Sequence, residues 1–329
     1  MNKRNGVKKI ALFCALLVLV LVMFTSGLRI RESTDFSLPQ VPQSEPAATK
    51  TITRNGVDYF PRQDITVLML LGIDQSGQME DSGSYNNSGA ADVVMLVIFD
   101  ETNSQYSILY LNRDTMLEMP VLGLGGRQAG TRYGQLALAH GSGSGLKDSC
   151  ENVRKTVSDF LYGLRIDYYL SMNMDAIGIL NDAVGGVTVE VTDDFSAVDD
   201  TIPLGSVKLS GEQAVQFIRA RSRVGDQLNQ SRIQRQKEYL TGFAAALQEK
   251  AAGNNSFLVE VYDRIAPYSV TDCTAVSLSA LGERFGSYTL DQIVTPEGEN
   301  VLGETYMEFY VDAEALDALI LKLFYAPKK

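Results

Sequence analysis

Apolar runs of different lengths and periods divide this chain into segments. The longest covers residues 10–28 and follows Lys3, Arg4, Lys8 and Lys9. At about 1.5 Å per residue it reaches about 28 Å, close to the roughly 30 Å hydrocarbon core of a bilayer. The basic flank favours the cytoplasmic side, so the rest of the chain is expected outside the cell. A cleaved signal peptide is the alternative, but Thr25-Ser26-Gly27-Leu28-Arg29 offers no small-x-small cleavage pattern. Residues 1–9 are therefore read as a short basic cytoplasmic segment and 10–28 as one transmembrane anchor. Residues 29–63, polar and holding Pro39, Pro42, Pro46 and Pro61, read as a linker. Residues 64–329 are expected to form one extracytoplasmic domain.

Inside that domain the period changes repeatedly. Residues 65–73 are almost continuously apolar, the pattern of a strand buried on both faces. Residues 75–89 form a Gly/Ser/Asn-rich loop. Strands at 93–99 and 106–111, joined by a polar turn, predict a hairpin. Gly123, Gly125, Gly126, Gly130 and Gly134 mark an irregular stretch. Residues 147–164 place Cys150, Val153, Val157 and Leu161 on one helical face. Ile166, Tyr168, Leu170 and Met172 alternate as a strand. A short helix at 175–184 ends at Gly185-Gly186, and Val187, Val189 and Val191 alternate again. Helices follow at 211–218, 231–251 and 312–325. Interleaved helices and strands predict an α/β (α+β) class, with a mixed central β-sheet flanked by helices.

Charge and composition narrow the function. The 329 residues carry a net charge of -11, which disfavours any bulk attraction to nucleic acid. An anion site must then be a local arginine cluster. There is one histidine, His140, and no Cys/His cluster, so a zinc site or a histidine-based triad has little support. Cys14 lies inside the apolar run, which excludes a lipoprotein anchor. Cys150 falls on an apolar helix face and is expected as a buried free thiol; a pairing with Cys273 stays open.

Two clusters remain. The predicted hairpin brings Asp92 and Asp114 to one end of the sheet, with Arg113 beside them. Paired carboxylates suit Mg²⁺ or Mn²⁺, which take hard oxygen ligands and complete their shells with phosphate oxygens and water. The plainer reading is that each aspartate caps a turn. Arg219 and Arg221, at i and i+2, share a face if extended. Arg232 and Gln236, at i and i+4 in the first turns of a helix, share another, with Arg235 alongside. Arginine forks fit phosphate oxygens; surface ion pairs are the structural alternative. Asp226 and Asn229 would orient the arginines or bind a sugar hydroxyl.

Eight short stretches, in order, resemble motifs of the LytR-CpsA-Psr family. They are Leu71-Gly72-Ile73-Asp74, Gly89-Ala90-Ala91-Asp92, Asn112-Arg113-Asp114-Thr115 and Ile166-Asp167-Tyr168-Tyr169. Val184-Gly185-Gly186-Val187, Leu209-Ser210-Gly211-Glu212-Gln213-Ala214, Arg219-Ala220-Arg221 and Arg232-Ile233-Gln234-Arg235-Gln236 complete the set. The resemblance spans residues 64–250. It implies a membrane-bound phosphotransferase, in the envelope of a Gram-positive bacterium, that moves a glycopolymer phosphate from a polyprenyl-pyrophosphate carrier to a peptidoglycan hydroxyl. It implies Mg²⁺ at Asp92 and Asp114, with Asp74 in support. Arg113, Arg219, Arg221, Arg232, Arg235 and Gln236 would surround the pyrophosphate. Either Asp92 or Asp114 would take the proton of the attacking hydroxyl. The chain departs from the family at Ala90 and Ala91, where an arginine often precedes the aspartate, and at Gln135, where Lys or Arg is common. Asn112 stands where the family usually has proline, and Asn229 where it often has aspartate. A hydrolase using water as acceptor, or a lipid-binding regulatory module, are the rival readings.

Overall fold

The structure is a computed structural model. It describes residues 51–328 except 86–88, 124–125, 221–223, 225–234, 236–237, 240, 244, 248, 251–256, 275–276, 278–279, 282–283 and 286–287. The expected anchor at 10–28 lies outside the described residues. Among those residues no helix is long and apolar enough to cross a membrane.

The first described strands correct the expected boundary at residue 64. β1 (Ile52–Arg54) and β2 (Val57–Pro61) form an antiparallel hairpin. Asn55 and Gly56 make its turn, with φ of 52° and 76°. Positive φ at both turn positions matches the right-handed strand twist, and Asn-Gly is the pair that tolerates it best. The C-terminal strand Tyr325–Pro327 adds to β2, so both ends of the domain share one three-stranded sheet. Residues 52–61 thus belong to the folded unit, not to the linker.

β3 (Ile65–Ile73), β4 (Ala91–Asp100) and β5 (Gln105–Leu111) follow as an antiparallel meander. The expected hairpin is present, and Asp92 lies inside β4 instead of before it. β6 (Met116–Leu122) and β7 (Gln128–Gln135) form a second hairpin where an irregular stretch was expected. Its glycines lie in and between the strands, which hid the alternation. Then come α1 (Leu138–Gly141), α2 (Lys147–Phe160), β8 (Tyr168–Asn173), α3 (Asp175–Ala183), β9 (Val187–Val191), β10 (Gly205–Leu209) and α4 (Gly211–Arg219). The described positions between 235 and 250 are helical, as expected there. α5 (Phe257–Ile265), a 3-10 turn (Ala266–Tyr268), β11 (Ser269–Thr271), β12 (Thr289–Val294), β13 (Gly298–Leu302), β14 (Met307–Val311), α6 (Ala313–Phe324) and β15 (Tyr325–Pro327) follow.

Six strands build the central sheet in the order β11-β8-β3-β4-β5-β12. β8 runs parallel to β3 and β12 parallel to β5, while the other neighbours are antiparallel, so the sheet is mixed as predicted. Strand alternation splits the core in two. Leu68, Leu70, Met95 and Val97 face Ile177 and Leu180 of α3, Phe217 of α4 and Val261 of α5. Val67, Met69, Leu71 and Leu96 face Val153 and Val157 of α2 and Leu316 and Ile320 of α6. Each such fully buried side chain contributes about 1.5–3 kcal/mol relative to exposure. Two helix starts are capped by side chains: Ser210 and Gln213 make a reciprocal capping box on α4, and Asp312 caps α6. Cys150 and Cys273 are both buried free thiols, each pushed up to about 12 by burial.

Candidate active site

Antiparallel geometry assembles the site at one end of the sheet. The end of β3, the start of β4 and the end of β5 coincide there, bringing Asp74, Asp92, Arg113 and Asp114 together. The chain turns sharply after β5. Thr115 N–H donates to the Asn112 carbonyl at 3.0 Å, and Asp114 N–H donates to Asn112 Oδ1 at 3.0 Å. This asparagine-capped turn is what lets the adjacent Arg113 and Asp114 side chains face the same place.

Arg113 sits between two carboxylates. Its Nη1 donates to Asp92 Oδ1 in a short contact, and its Nε lies 3.6 Å from Asp114 Oδ1. Burial pushes the Asp92 carboxyl above its ordinary value. Arg113 opposes that shift, and the charges of Asp74 and Asp114 add to it. Burial also pushes Asp114 up, again opposed by Arg113. Below them Tyr110 is buried, and its phenol is pushed up by burial and then by Asp114.

Two features of the floor were not legible in the sequence as site features. Gln135 Nε2 donates to Asp114 Oδ1 at 2.9 Å and to the Met307 carbonyl at 2.8 Å. It is buried, where the family often has a cation. β14 closes the same edge: Phe309 N–H donates to the Asp114 carbonyl at 2.8 Å, and Thr115 pairs with Phe309 as an isolated bridge. Only the departure at Gln135 hinted at this.

Ala90 and Ala91 are held by main-chain bonds. The Ala90 carbonyl accepts from Asp74 N–H at 3.0 Å, and Ala91 N–H donates to the Ala137 carbonyl at 2.9 Å. Gly89 has φ of 69°, which a side chain would strain, and its carbonyl meets His140 Nδ1 at 3.3 Å. Arg132 does not reach the acid cluster by any described bond; its Nη2 donates to the Leu138 carbonyl at 2.7 Å.

The two described arginines of the second cluster part company. Arg219 ends α4 half exposed, with Nη2 at 3.9 Å from Asp74 Oδ1. That places it at the rim of the acid cluster. Arg235 is 4% exposed and its guanidinium is fully engaged. Nε donates to the Phe217 carbonyl at 3.0 Å, Nη2 to the Ala220 carbonyl and Nη1 to Asp193, and the group stacks over Phe195. This departs from the pyrophosphate contact expected of Arg235. Its forks satisfy the carbonyls that α4 leaves open at its end, and so fix the segment that carries Arg219. Arg221, Asp226, Asn229, Arg232 and Gln236 lie outside the described residues.

Solved structures share this fold at low identity. B. subtilis TagV aligns with a TM-score of 0.55 and 22% identity, over 80% of this chain and 96% of that one. Protein gbs0355 of Streptococcus agalactiae aligns with a TM-score of 0.59 and 20% identity, over 79% and 86%. A Bacillus mycoides protein named polyisoprenyl-teichoic acid–peptidoglycan teichoic acid transferase TagU is 28% identical over 169 residues, 51% of this chain and 48% of that one. The chain thus spans about half the length of that curated relative. An uncharacterized Staphylococcus aureus protein is 23% identical over 284 residues, 84% of this chain and 66% of that one. The LytR_cpsA_psr family model matches residues 39–323, most of the chain, and with the fold in agreement this chain belongs to the LytR_cpsA_psr family.

Proposed function

We propose that this chain is a membrane-anchored phosphotransferase of the bacterial envelope, working outside the cytoplasm on the plasma membrane. Its donor is a glycopolymer on a polyprenyl pyrophosphate, and its acceptor is a peptidoglycan hydroxyl. The observation that carries this reading is Arg113, held between Asp92 and Asp114 at the open end of the sheet, with Arg219 at the rim. The name of the TagU relative, a teichoic acid transferase acting on peptidoglycan, points the same way.

The chemistry follows from charge. The acceptor oxygen forms a bond to the phosphorus that bears the glycopolymer. The anhydride bond to the other phosphate breaks, and polyprenyl phosphate leaves. The acceptor proton goes to Asp92 or Asp114, whose carboxyls burial raises above their ordinary proton affinity. Little covalent work falls to the protein; positioning and neutralisation of phosphate charge dominate. Arg113 and Arg219 supply cationic forks, and Arg221, Arg232 and Gln236 are assigned to the same task by family position. Arg235 holds the α4 end in place. Asp74 steadies Arg219, and Asp226 and Asn229 are assigned to supporting roles.

Asp92 and Asp114 fit Mg²⁺ or Mn²⁺ by donor type. Their hard oxygens flank Arg113 at one end of the sheet, and a bound ion would share them with that guanidinium. Among the described residues no group of three or more His, Cys, Asp or Glu side chains converges to hold a metal. The remaining ligands would come from the donor phosphates and water. Such an ion supplies neutralisation of the phosphate oxygens.

Substitution tests the reading. Arg113→Ala and Asp92→Asn in the full chain should each cut release of polyprenyl phosphate from a synthetic polyprenyl-pyrophosphate glycan by about 100-fold or more. Full rates in both variants would remove the site from the reaction.

A further inference from the structure

Beside Asp114 lies a surface that the phosphate chemistry does not use. β13 and β14 form a hairpin outside the central sheet, fixed at the site by the Phe309–Asp114 and Gln135–Met307 bonds. Along β14 the side chains alternate. Phe309 turns inward and is buried, while Tyr310 turns outward with Glu308. Tyr306, in the turn, is 65% exposed. Tyr133, on β7, is 59% exposed and shares a strand face with Gln135, whose Nε2 reaches the Met307 carbonyl of β14 at 2.8 Å. Tyr310 Oη donates to Glu308 Oε2 at 2.6 Å, so the ring is held, not loose. Exposed aromatics thus cluster on two hairpins that meet at a catalytic carboxylate. Tyr310 is one residue, about 3.3 Å of strand, from the main-chain bond to Asp114.

Charge selects the partner. Residues 289–311 contain no Lys or Arg but carry Asp291, Glu297, Glu299, Glu304 and Glu308. An anionic lipid surface attracts basic segments and is repelled by such a rim. A polyanionic glycopolymer is repelled as well. A neutral sugar strand is not. Its ring faces lie flat on aromatic rings, and its hydroxyls donate to carboxylates.

We propose that the outward face of Tyr133, Tyr306 and Tyr310, rimmed by Glu308, docks the neutral glycan strand whose hydroxyl accepts the phosphate. This rests on the transferase reading above, because it assigns the acceptor side of the same site. The platform holds the strand at the edge where Asp114 can take the proton.

The test titrates the full chain, in detergent and without donor, with a neutral tetrasaccharide of alternating N-acetylglucosamine and N-acetylmuramic acid whose lactyl carboxyls are capped as amides, by calorimetry. The Tyr306→Ala/Tyr310→Ala pair should weaken binding at least tenfold. The corresponding Phe pair, which keeps the rings, should stay within threefold of the parent. Tyr162→Ala, an exposed aromatic elsewhere, should change nothing. Binding of a polyprenyl-pyrophosphate glycan should hold within twofold throughout. Parent-like tetrasaccharide binding by the alanine pair overturns the proposal. So does shielding of these tyrosines from tetranitromethane by nanodisc lipid alone. Loss of tetrasaccharide binding in a protein that transfers nothing would leave the platform standing and sink the transferase reading. Acceptor-dependent transfer at parental acceptor KM in the alanine pair would do the reverse.

Discussion

Arg219 and Arg235 serve the same stretch of chain in opposite ways. Arg235 spends its whole guanidinium on the Phe217 and Ala220 carbonyls and Asp193. Removing it strands buried polar groups, so Arg235→Ala should cost about 3–5 kcal/mol. Thermal melting should show a fall of at least about 6 °C, since 1 kcal/mol moves a domain of this size by about 2–4 °C. Arg219 is half exposed and, among the described residues, makes only the long contact to Asp74. Arg219→Ala should leave the melting temperature within about 2 °C yet cut transfer by about 100-fold. The opposite pattern, with Arg219 structural and Arg235 dispensable to stability, would refute both assignments. The sequence showed an arginine cluster but not which way each fork points. Asp193, the partner that draws Arg235 inward, is 42 residues away along the chain. The pairing of Asp92 with Asp114 was legible, because two strands and one polar turn fix which end of a hairpin its flanking residues share. Gln135 was legible only as a departure; its bond to Met307 depends on β14, which lies 172 residues further along the chain.

At the scale of elements, the N-terminal hairpin ties the start of the domain to its end. Gly56 needs φ of 76° and has open space around its Cα, so Gly56→Ala should cost backbone strain alone, about 1–2 kcal/mol. Beyond the hairpin, Arg62 engages both Asp64 and Asp100, at 2.7 and 2.8 Å. The Arg62 hydrogen bond holds the Asp64 carboxyl well below the usual carboxylate range, against some burial. A depressed folded value means the stabilisation is present above the unfolded value, about 3.9, and is lost as pH falls through the folded one. Asp64→Asn should therefore lower the melting temperature at pH 7, and the gap to the parent should narrow below about pH 4. A gap that is constant with pH would show that the ion pair contributes nothing. Buried strands such as β3 and β4 announced themselves through continuous apolar runs. The exposed hairpins did not. β13 is exposed along nearly its whole length, and β7 carries glycine where an inward side chain would have marked a face. The Asn55-Gly56 turn was a readable signal, masked by the proline-bearing polar segment before it.

Across the whole molecule, one sheet end gathers residues separated by more than a hundred positions. Its mixed strand order follows from the parallel returns of β8 and β12, which no local pattern specifies. On the proposed reading, the site would offer two carboxylates, Asp92 and Asp114, to a metal and leave the remaining ligands to the donor. Mg²⁺ alone should then shift the melting temperature by less than about 1 °C, whereas Mg²⁺ with a polyprenyl-pyrophosphate glycan should raise it by the mass-action effect of a ligand well above its Kd. A large shift with the metal alone would mean that the protein completes the coordination shell itself. The most direct test of the account is mass spectrometry of the products made by the full chain from a synthetic polyprenyl-pyrophosphate glycan, Mg²⁺ and peptidoglycan fragments. The account predicts a fragment carrying the glycan through a phosphodiester, with polyprenyl phosphate formed in equal amount and neither product made by Asp92→Ala. Polyprenyl phosphate released equally without the fragments, with no phosphodiester formed, would contradict it and leave a hydrolase.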